Sequence, residues 1–182
     1  MNKANIVIAK NTLKILSRKT WNNVEFNDVF KGVKKLPENI YNKEDLLKNI
    51  NRYIDYLLTS DTKSMESSSK RDMLFEVIMA RFDILQKNRN SILNIYKSFK
   101  SKPQKLLKLI PSFLESMLLT AKLAKINTKN IKGSIKIKGI FLIYIATFFV
   151  WKDDNTKSIE KTMTSLDKYI DNAESLTKNI LW

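Results

Sequence analysis

The sequence contains neither cysteine nor histidine among its 182 residues. The absence of cysteine excludes disulfides, thiol nucleophiles and thiolate metal ligands, and it fits a reducing compartment. The absence of histidine excludes Ser-His-Asp arrangements and the usual zinc sites. Carboxylates, lysine and tyrosine remain as acid-base groups, and no pair of them lies in a recognisable catalytic pattern. We therefore expect that the chain is not an enzyme and uses no cofactor and no metal.

Glycine and proline are also scarce, with three of each in the whole chain. Long runs of Leu, Ile, Lys, Asn and Glu continue without either residue, which favours helices joined by short turns and disfavours hairpins. Hydrophobic residues make up 43% of the chain, which is enough for a real core. The composition predicts an all-α protein.

No hydrophobic run is long enough to suggest a membrane span. The longest is GIFLIYIATFFVW at Gly139–Trp151, with thirteen residues, whereas a bilayer needs roughly 20. The N-terminal stretch MNKANIVIAKNTLKIL is too polar for a signal peptide. We expect a cytoplasmic protein, with a peripheral contact at the inner membrane surface.

Positive charge, by contrast, is abundant, and the formal net charge is +15. Most of the excess lies in residues 86–138, which carry 13 basic and 1 acidic side chains and interleave lysine with apolar residues. Basic amphipathic helices that meet anionic membranes show this pattern, and so do lysine-rich solvated faces of ordinary helices. Only 5 of the 33 basic residues are arginine, the residue that base reading and bidentate phosphate contacts favour. The charge alone therefore does not indicate DNA binding.

Apolar residues recur at helical spacing in the N-terminal part of the chain. The periodicity predicts a first helix over residues 4–17, a short second helix over 26–33 with Asn23 as its cap, and a long helix over 43–58. These elements predict a headpiece over residues 1–58.

The polar, serine-rich residues 59–70 predict a linker, and a helical body follows over residues 71–182. In the body, Pro111 is expected to start or kink a helix, and Pro103 to open or precede one. Residues 139–151 are apolar all round, which predicts a helix buried on most sides, at the domain centre or at a subunit interface. The last predicted helix has one apolar stripe that needs a partner surface, formed by Ile159, Met163, Leu166, Ile170, Ala173, Leu176 and Ile180.

This order of elements resembles the TetR superfamily. The resemblance implies an all-α, TetR-like fold: a small N-terminal three-helix headpiece with a degenerate helix-turn-helix, and a helical body that forms a dimeric four-helix bundle. In the headpiece, the resemblance lies in the stretches TWNNVEFNDV and KEDLL. The matching residues are Trp21, Val24, Phe26, Asp28, Val29, Lys43 and Leu46.

The body resembles bacterial relatives of the coenzyme Q biosynthesis lipid-binding family, here called the Coq-nine family. The likeness lies in Leu74–Leu85, Ile126–Asp154 and Lys161–Ser175. It implies a TetR-fold accessory protein of ubiquinone biosynthesis that holds isoprenoid lipids and no longer reads DNA. Mitochondrial members carry an additional C-terminal amphipathic helix, whereas this chain ends in SLTKNILW.

The stretch GVKKLPENIYNKEDLL at residues 32–47 is short for a DNA-reading helix. Compared with the TetR pattern, about three residues are missing between Lys34 and Lys43, and Pro37 lies inside the segment. An α-helix has about 3.6 residues per turn, so the loss removes nearly one turn of reading surface. We predict a stub at most, although a shortened, working helix over residues 36–41 stays an alternative.

The leading hypothesis is a homodimeric lipid-binding accessory protein that holds a hydrophobic isoprenoid or acyl lipid and meets anionic headgroups through lysine-rich turns. For any single one of the proposed apolar residues, core packing is the better explanation. Arg81 and Asp83 are expected to form a buried ion pair, with a polar anchor for a lipid headgroup as the alternative. The predicted ligand-binding residues are Phe82, Phe113, Met117, Leu118, Phe141, Tyr144 and Trp151.

The alternative is a TetR-family transcriptional regulator controlled by a hydrophobic ligand, with DNA as its partner. A third hypothesis is a structural protein whose terminal stripe binds another protein's helix. The residues expected to contact DNA under the regulator hypothesis are Lys34, Lys35, Asn39, Tyr41 and Lys43.

Overall fold

A computed structural model of the chain describes residues 1–35, 37–66, 68–100 and 104–176. Within these ranges the regular structure is helical and no strand occurs, which confirms the predicted all-α class. The predicted residues Pro103 and Ile180, and the final stretch from Thr177, lie outside the described ranges.

The N-terminal part of the chain contains three α-helices and one 3-10 turn. Helix α1 spans Lys3–Leu16, the 3-10 turn Trp21–Asn23, α2 Phe26–Val29 and α3 Lys43–Asp61. Asn2 is the N-cap of α1, because its Oδ1 accepts the backbone N–H of Asn5 at 2.8 Å. The predicted capping role of Asn23 is wrong, since Asn23 lies within the 3-10 turn and Glu25 precedes α2 without a side-chain cap.

The remaining elements are again helices. Helix α4 spans Lys70–Lys87, α5 Arg89–Lys100, α6 Gln104–Leu107, α7 Ile110–Leu123, α8 Asn130–Trp151 and α9 Glu160–Leu176. Pro111 lies in the first turn of α7, where the missing N–H costs no helical hydrogen bond. Its role as a helix start is therefore confirmed.

The chain divides into two compact units. Unit 1 contains residues 1–57 and 83–112, and unit 2 contains residues 58–82 and 113–182. Helices α3, α4 and α7 each contribute residues to both units. The predicted end of the headpiece at residue 58 lies one residue from this division, but residues 83–112, predicted as part of the body, belong with the N-terminal helices.

In unit 1, α5 lies against α1 and forms hydrogen bonds to carbonyl groups near its end. The Ser91 hydroxyl donates to the carbonyl oxygen of Leu13 at 2.7 Å, and the Asn94 amide donates to that of Leu16 at 2.8 Å. The Leu13 carbonyl also accepts the backbone N–H of Ser17 at 3.0 Å, whereas Leu16 is the last residue of α1 and receives its partner from α5. Trp21 and Phe99 pack beside them with ring centroids 5.8 Å apart. This pairing is the physical reason that residues 83–112 join unit 1.

In unit 2, α9 packs on α8. Leu166 and Ile170 of the predicted stripe are fully buried, as is Ile159 just before α9, whereas Met163 is exposed. The α4 residue Arg71 anchors α9 from another side, with its Nη2 2.6 Å from Asp167 Oδ1 and 2.5 Å from Asp171 Oδ1. The stripe therefore finds most of its partner surface within the chain.

The start of α8 depends on Gly133. Its backbone N–H donates to the carbonyl oxygen of Lys129 at 3.2 Å. A β-carbon at this position would lie 2.0 Å from the carbonyl oxygen of Thr128, far inside van der Waals contact. Only glycine permits this close approach of the turn to the helix.

Candidate functional site

Three of the predicted ligand-binding residues form one aromatic cluster inside unit 2. The ring of Phe82, on α4, lies with its centroid 5.5 Å from that of Tyr144 and 6.2 Å from that of Trp151, both on α8. All three side chains are buried, and so is Met117 on α7. Rings at these distances pack directly against one another. These four residues therefore contribute to the core, and their role in ligand binding stays a prediction.

The other three predicted residues lie nearer the surface of unit 2. Phe113, Leu118 and Phe141 are half-buried, and the rings of Phe113 and Phe141 are 6.5 Å apart. This pair joins α7 to α8. An apolar ligand could reach these side chains without first displacing the core.

The predicted ion pair between Arg81 and Asp83 is wrong. Arg81 is buried, and its guanidinium carbon lies 5.9 Å from the centre of the Tyr144 ring, within cation–π range. Asp83 is exposed. The two side chains differ because residues two apart on a helix point to different sides.

Helix α8 exposes a continuous apolar row, which we call the outer face of α8. It consists of positions 131, 135, 138, 142, 145 and 149, separated alternately by four and three residues. Ile131, Ile135, Leu142 and Phe149 are 49–82% exposed, Ile145 is half-buried, and Lys138 is the polar member of the row. Within residues 139–151 only Leu142 and Phe149 are exposed, so the predicted burial on most sides is confirmed except along this row.

The spacing of the outer face has a specific meaning. Alternation of four and three residues places side chains along one side of a helix and is the repeat by which two helices interlock. A contiguous apolar patch of this kind is uncommon on the surface of a monomeric protein. The sequence allowed a subunit interface on this helix but did not identify the row, because an all-round apolar helix gives no sign of which side meets the core.

By length and composition, α8 could also cross a membrane. Its 22 residues include a window with a mean hydropathy of 1.6, of which 33% is buried. The thirteen-residue run is thus part of a longer apolar helix than the sequence suggested. A core helix meets the same criteria, and Lys136, Tyr144 and Trp151 of α8 are buried within the folded chain.

The junction between α8 and α9 is fixed by the buried carboxylate of Asp154. Its Oδ1 accepts the Thr156 hydroxyl at 2.6 Å, and its Oδ2 accepts the backbone N–H of Thr162 at 2.9 Å and the Thr162 hydroxyl at 2.8 Å. Burial by itself raises the pKa of a carboxyl group, but these hydrogen bonds outweigh it and lower the pKa of Asp154 to about 2. Both carboxylate oxygens of Asp154 thus have hydrogen-bond partners, and we assign the group a structural role at this junction.

The residues predicted to contact DNA lie in turns and at the start of α3. Lys34, Lys35, Asn39 and Tyr41 are exposed, and the described residues between α2 and α3 form no helix. The ammonium group of Lys43 donates to the carbonyl oxygen of Asn22 at 3.0 Å. A recognition helix would have to lie in this stretch.

A reciprocal cap explains why α3 begins where it does. The Asn42 side chain accepts the backbone N–H of Asp45 at 3.0 Å, and Asp45 accepts the backbone N–H groups of Asn42 and Tyr41 at 3.3 and 3.1 Å. Burial opposes ionisation of Asp45, but these bonds and Lys48 lower its pKa overall. The cap places Tyr41 and Asn42 in extended and bent backbone ahead of α3.

Among the described residues, no group of three or more Asp and Glu side chains is arranged to hold a metal ion. Comparison with protein-family models gives no match for the chain. No curated protein matches it either. The likeness to the TetR superfamily and to the Coq-nine family therefore stays a prediction from the sequence.

Proposed function

We propose that the chain is a non-catalytic accessory protein that forms a homodimer through the outer face of α8 and holds an isoprenoid or acyl lipid beside it. In this proposal the chain does not read DNA. The sequence resemblance suggests ubiquinone biosynthesis as the setting, with the protein in the cytoplasm or peripheral at the inner membrane surface.

The observation that carries the proposal is the outer face of α8. Four large apolar side chains, Ile131, Ile135, Leu142 and Phe149, are exposed at the spacing of a helix–helix interface. A second copy of the chain presents the same surface, and two-fold dimers built from one repeated patch are the commonest soluble oligomers.

The lipid component is supported by the half-buried side chains at the edge of this face. Phe141 precedes the exposed Leu142 and pairs with Phe113, so an apolar surface continues from the outer face towards α7. Such a surface suits an isoprenoid or acyl tail, because the tail needs apolar contact and no polar partner.

Native mass spectrometry of the purified protein, with identification of bound lipid by fragmentation, tests both components. We expect a dimer that carries an isoprenoid or acyl species. The variant Leu142→Glu should be monomeric, because a carboxylate buried in an apolar interface lacks a partner. Thr164→Glu adds the same charge at an exposed position of α9 and should stay dimeric. A wild-type monomer without lipid would overturn the proposal.

The regulator remains a second candidate because Tyr41 is an exposed aromatic residue among lysines ahead of α3. DNA selection at physiological salt distinguishes it. Recovery of one palindromic sequence would favour the regulator. Salt-sensitive binding without sequence preference would not, because a chain with a net charge of +15 attracts DNA in any case.

A further inference from the structure

Unit 1 contains a cavity of about 410 Å³ to which the proposed function assigns no role. Its walls come from α1, from Tyr53 on α3, and from the turn that joins α4 to α5. The volume lies in the range of pockets that bind small molecules. The lining residues are Lys10, Leu13, Lys14, Ser17, Tyr53 and the six residues 86–91.

The lining of this cavity is strongly cationic. Lys10 and Lys14 lie one turn apart on α1, and Lys87 and Arg89 flank the turn after α4. No acidic side chain is among the lining residues. Asp83, one turn before Lys87, is the acidic neighbour along α4, and it is exposed. The cavity near the start of α1 differs, because there Glu38 lies beside Lys35.

Two of the lining side chains are held in place by the fold. Arg89 Nη1 donates to the Gln86 side-chain oxygen at 3.2 Å. The Ser91 hydroxyl donates to the carbonyl oxygen of Leu13, which fixes the turn against α1. These contacts hold Arg89 and the turn against α1, while the ammonium groups of Lys10, Lys14 and Lys87 belong to exposed side chains.

The hydroxyl of Tyr53 adds a neutral polar group to the cationic lining. Tyr53 is only 7% exposed, and no hydrogen bond is formed by its hydroxyl within the described part of the chain. The hydroxyl oxygen is not enclosed by the fold, so it is open to a hydrogen bond with a ligand in the cavity. Burial, reinforced by the neighbouring Tyr56, raises the pKa of Tyr53, and the hydroxyl therefore remains a hydrogen-bond donor.

We infer that this cavity binds the phosphate group of a phosphate-bearing organic anion, a monoester or a diphosphate. Lysine ammonium groups and an arginine guanidinium are the side chains that bind phosphate oxygens, and the Tyr53 hydroxyl adds a neutral donor. The volume exceeds that of phosphate alone and leaves room for an organic part. This inference does not rest on the proposed lipid site in unit 2.

Calorimetric titration with inorganic pyrophosphate tests the site in the full-length protein. We expect the double variant Lys10→Gln/Lys14→Gln to bind pyrophosphate at least about tenfold more weakly, since it loses two charge-assisted contacts. Tyr53→Phe should weaken binding by about threefold to tenfold, because it removes one hydrogen bond and retains the ring. Thermal unfolding verifies that each variant is folded.

A matched control separates a site from general attraction. Lys122→Gln/Lys129→Gln removes the same charge from two exposed positions of unit 2 and should change the affinity by less than about twofold. Equal losses in both double variants, or no binding by the wild-type protein at millimolar pyrophosphate, would overturn the inference. Full affinity in Tyr53→Phe would also contradict it.

Two further probes identify the source of the phosphate group. Vesicles of phosphatidylcholine with phosphatidic acid present a lipid phosphate, and glycerol 3-phosphate presents the same monoester in solution. If the vesicles compete with pyrophosphate and glycerol 3-phosphate does not, the ligand is a lipid headgroup. The reverse result identifies a soluble phosphate ester, and both results support the site.

Discussion

Helices α8 and α9 are neighbours in unit 2, yet they use their apolar residues differently. In α9 the apolar residues form one stripe, and its central members Leu166 and Ile170 are buried against the rest of the unit. In α8 the apolar residues surround the helix, so one side enters the core with Tyr144 and Trp151 while the opposite side stays exposed.

The difference shows that burial within the chain accounts for α9 but not for α8. A helix that serves one core needs a single apolar side, with polar residues opposite. The second apolar side of α8 adds nothing to the fold of the isolated chain, and exposure of it to water is unfavourable. We therefore attribute this side to association with a partner.

The largest effect is expected at the inner side of α8. Trp151→Ala removes a fully buried indole that packs against Phe82 and should lower the free energy of unfolding by about 3–5 kcal/mol. Urea unfolding followed by far-ultraviolet circular dichroism measures the loss. A loss below 1 kcal/mol would mean that the aromatic cluster is not the core of unit 2.

A matched pair of leucines compares the two helices directly. Leu166 lies in the buried stripe of α9, and Leu166→Ala should lower the free energy of unfolding by about 2–5 kcal/mol. Leu142 lies on the outer face of α8, and Leu142→Ala should change the free energy of unfolding of the monomer by no more than about 0.5 kcal/mol.

Differential scanning calorimetry at several protein concentrations verifies the leucine comparison. If the chain dimerises as proposed, the wild-type melting temperature should rise with protein concentration, and Leu142→Ala should weaken that dependence. If the two substitutions lower the stability equally at the lowest protein concentration, the contrast between α8 and α9 is wrong.

The carboxylate that joins the two helices should make stability depend on pH. The pKa of Asp154 is about 2 in the folded chain, below its ordinary value of 3.8. Its contribution is therefore fully present above about pH 4 and is lost as the pH falls towards 2, which amounts to about 2 kcal/mol.

Comparison with Asp154→Asn isolates this contribution, because all other carboxylates titrate in both proteins. The difference in unfolding free energy between wild type and variant should shrink as the pH falls from 5 to 2. A constant difference over that range would show that the charge of Asp154 is irrelevant to the junction.

The smallest effect is expected at Arg71, which anchors α9 to α4. The hydrogen bonds that Arg71 donates to Asp171 and Asp167 raise its pKa, and they outweigh burial, which lowers it. Arg71→Gln should cost about 0.5–1 kcal/mol, because the pairs are partly exposed. Lys161→Gln, also exposed on α9, is the control and should cost less. A loss that is unchanged in 1 M NaCl would contradict an ionic origin.

The sequence predicted the helices and the buried part of α9 well, because both depend on local composition and spacing. It did not predict that α5 belongs with α1, since that pairing rests on hydrogen bonds from Ser91 and Asn94, two polar residues without a local pattern. The cavity around Tyr53 was also missed, because its wall comes from three separate parts of the chain.

The pairing of α1 with α5 also bears on how the protein is made. During synthesis the end of α1 lacks its contacts with α5 until Ser91 and Asn94 have left the ribosome, more than 70 residues later. A fragment that stops after α3 would expose the α1 surface that α5 covers. Unit 1 is therefore expected to complete its fold late, only after part of unit 2 has already been synthesised.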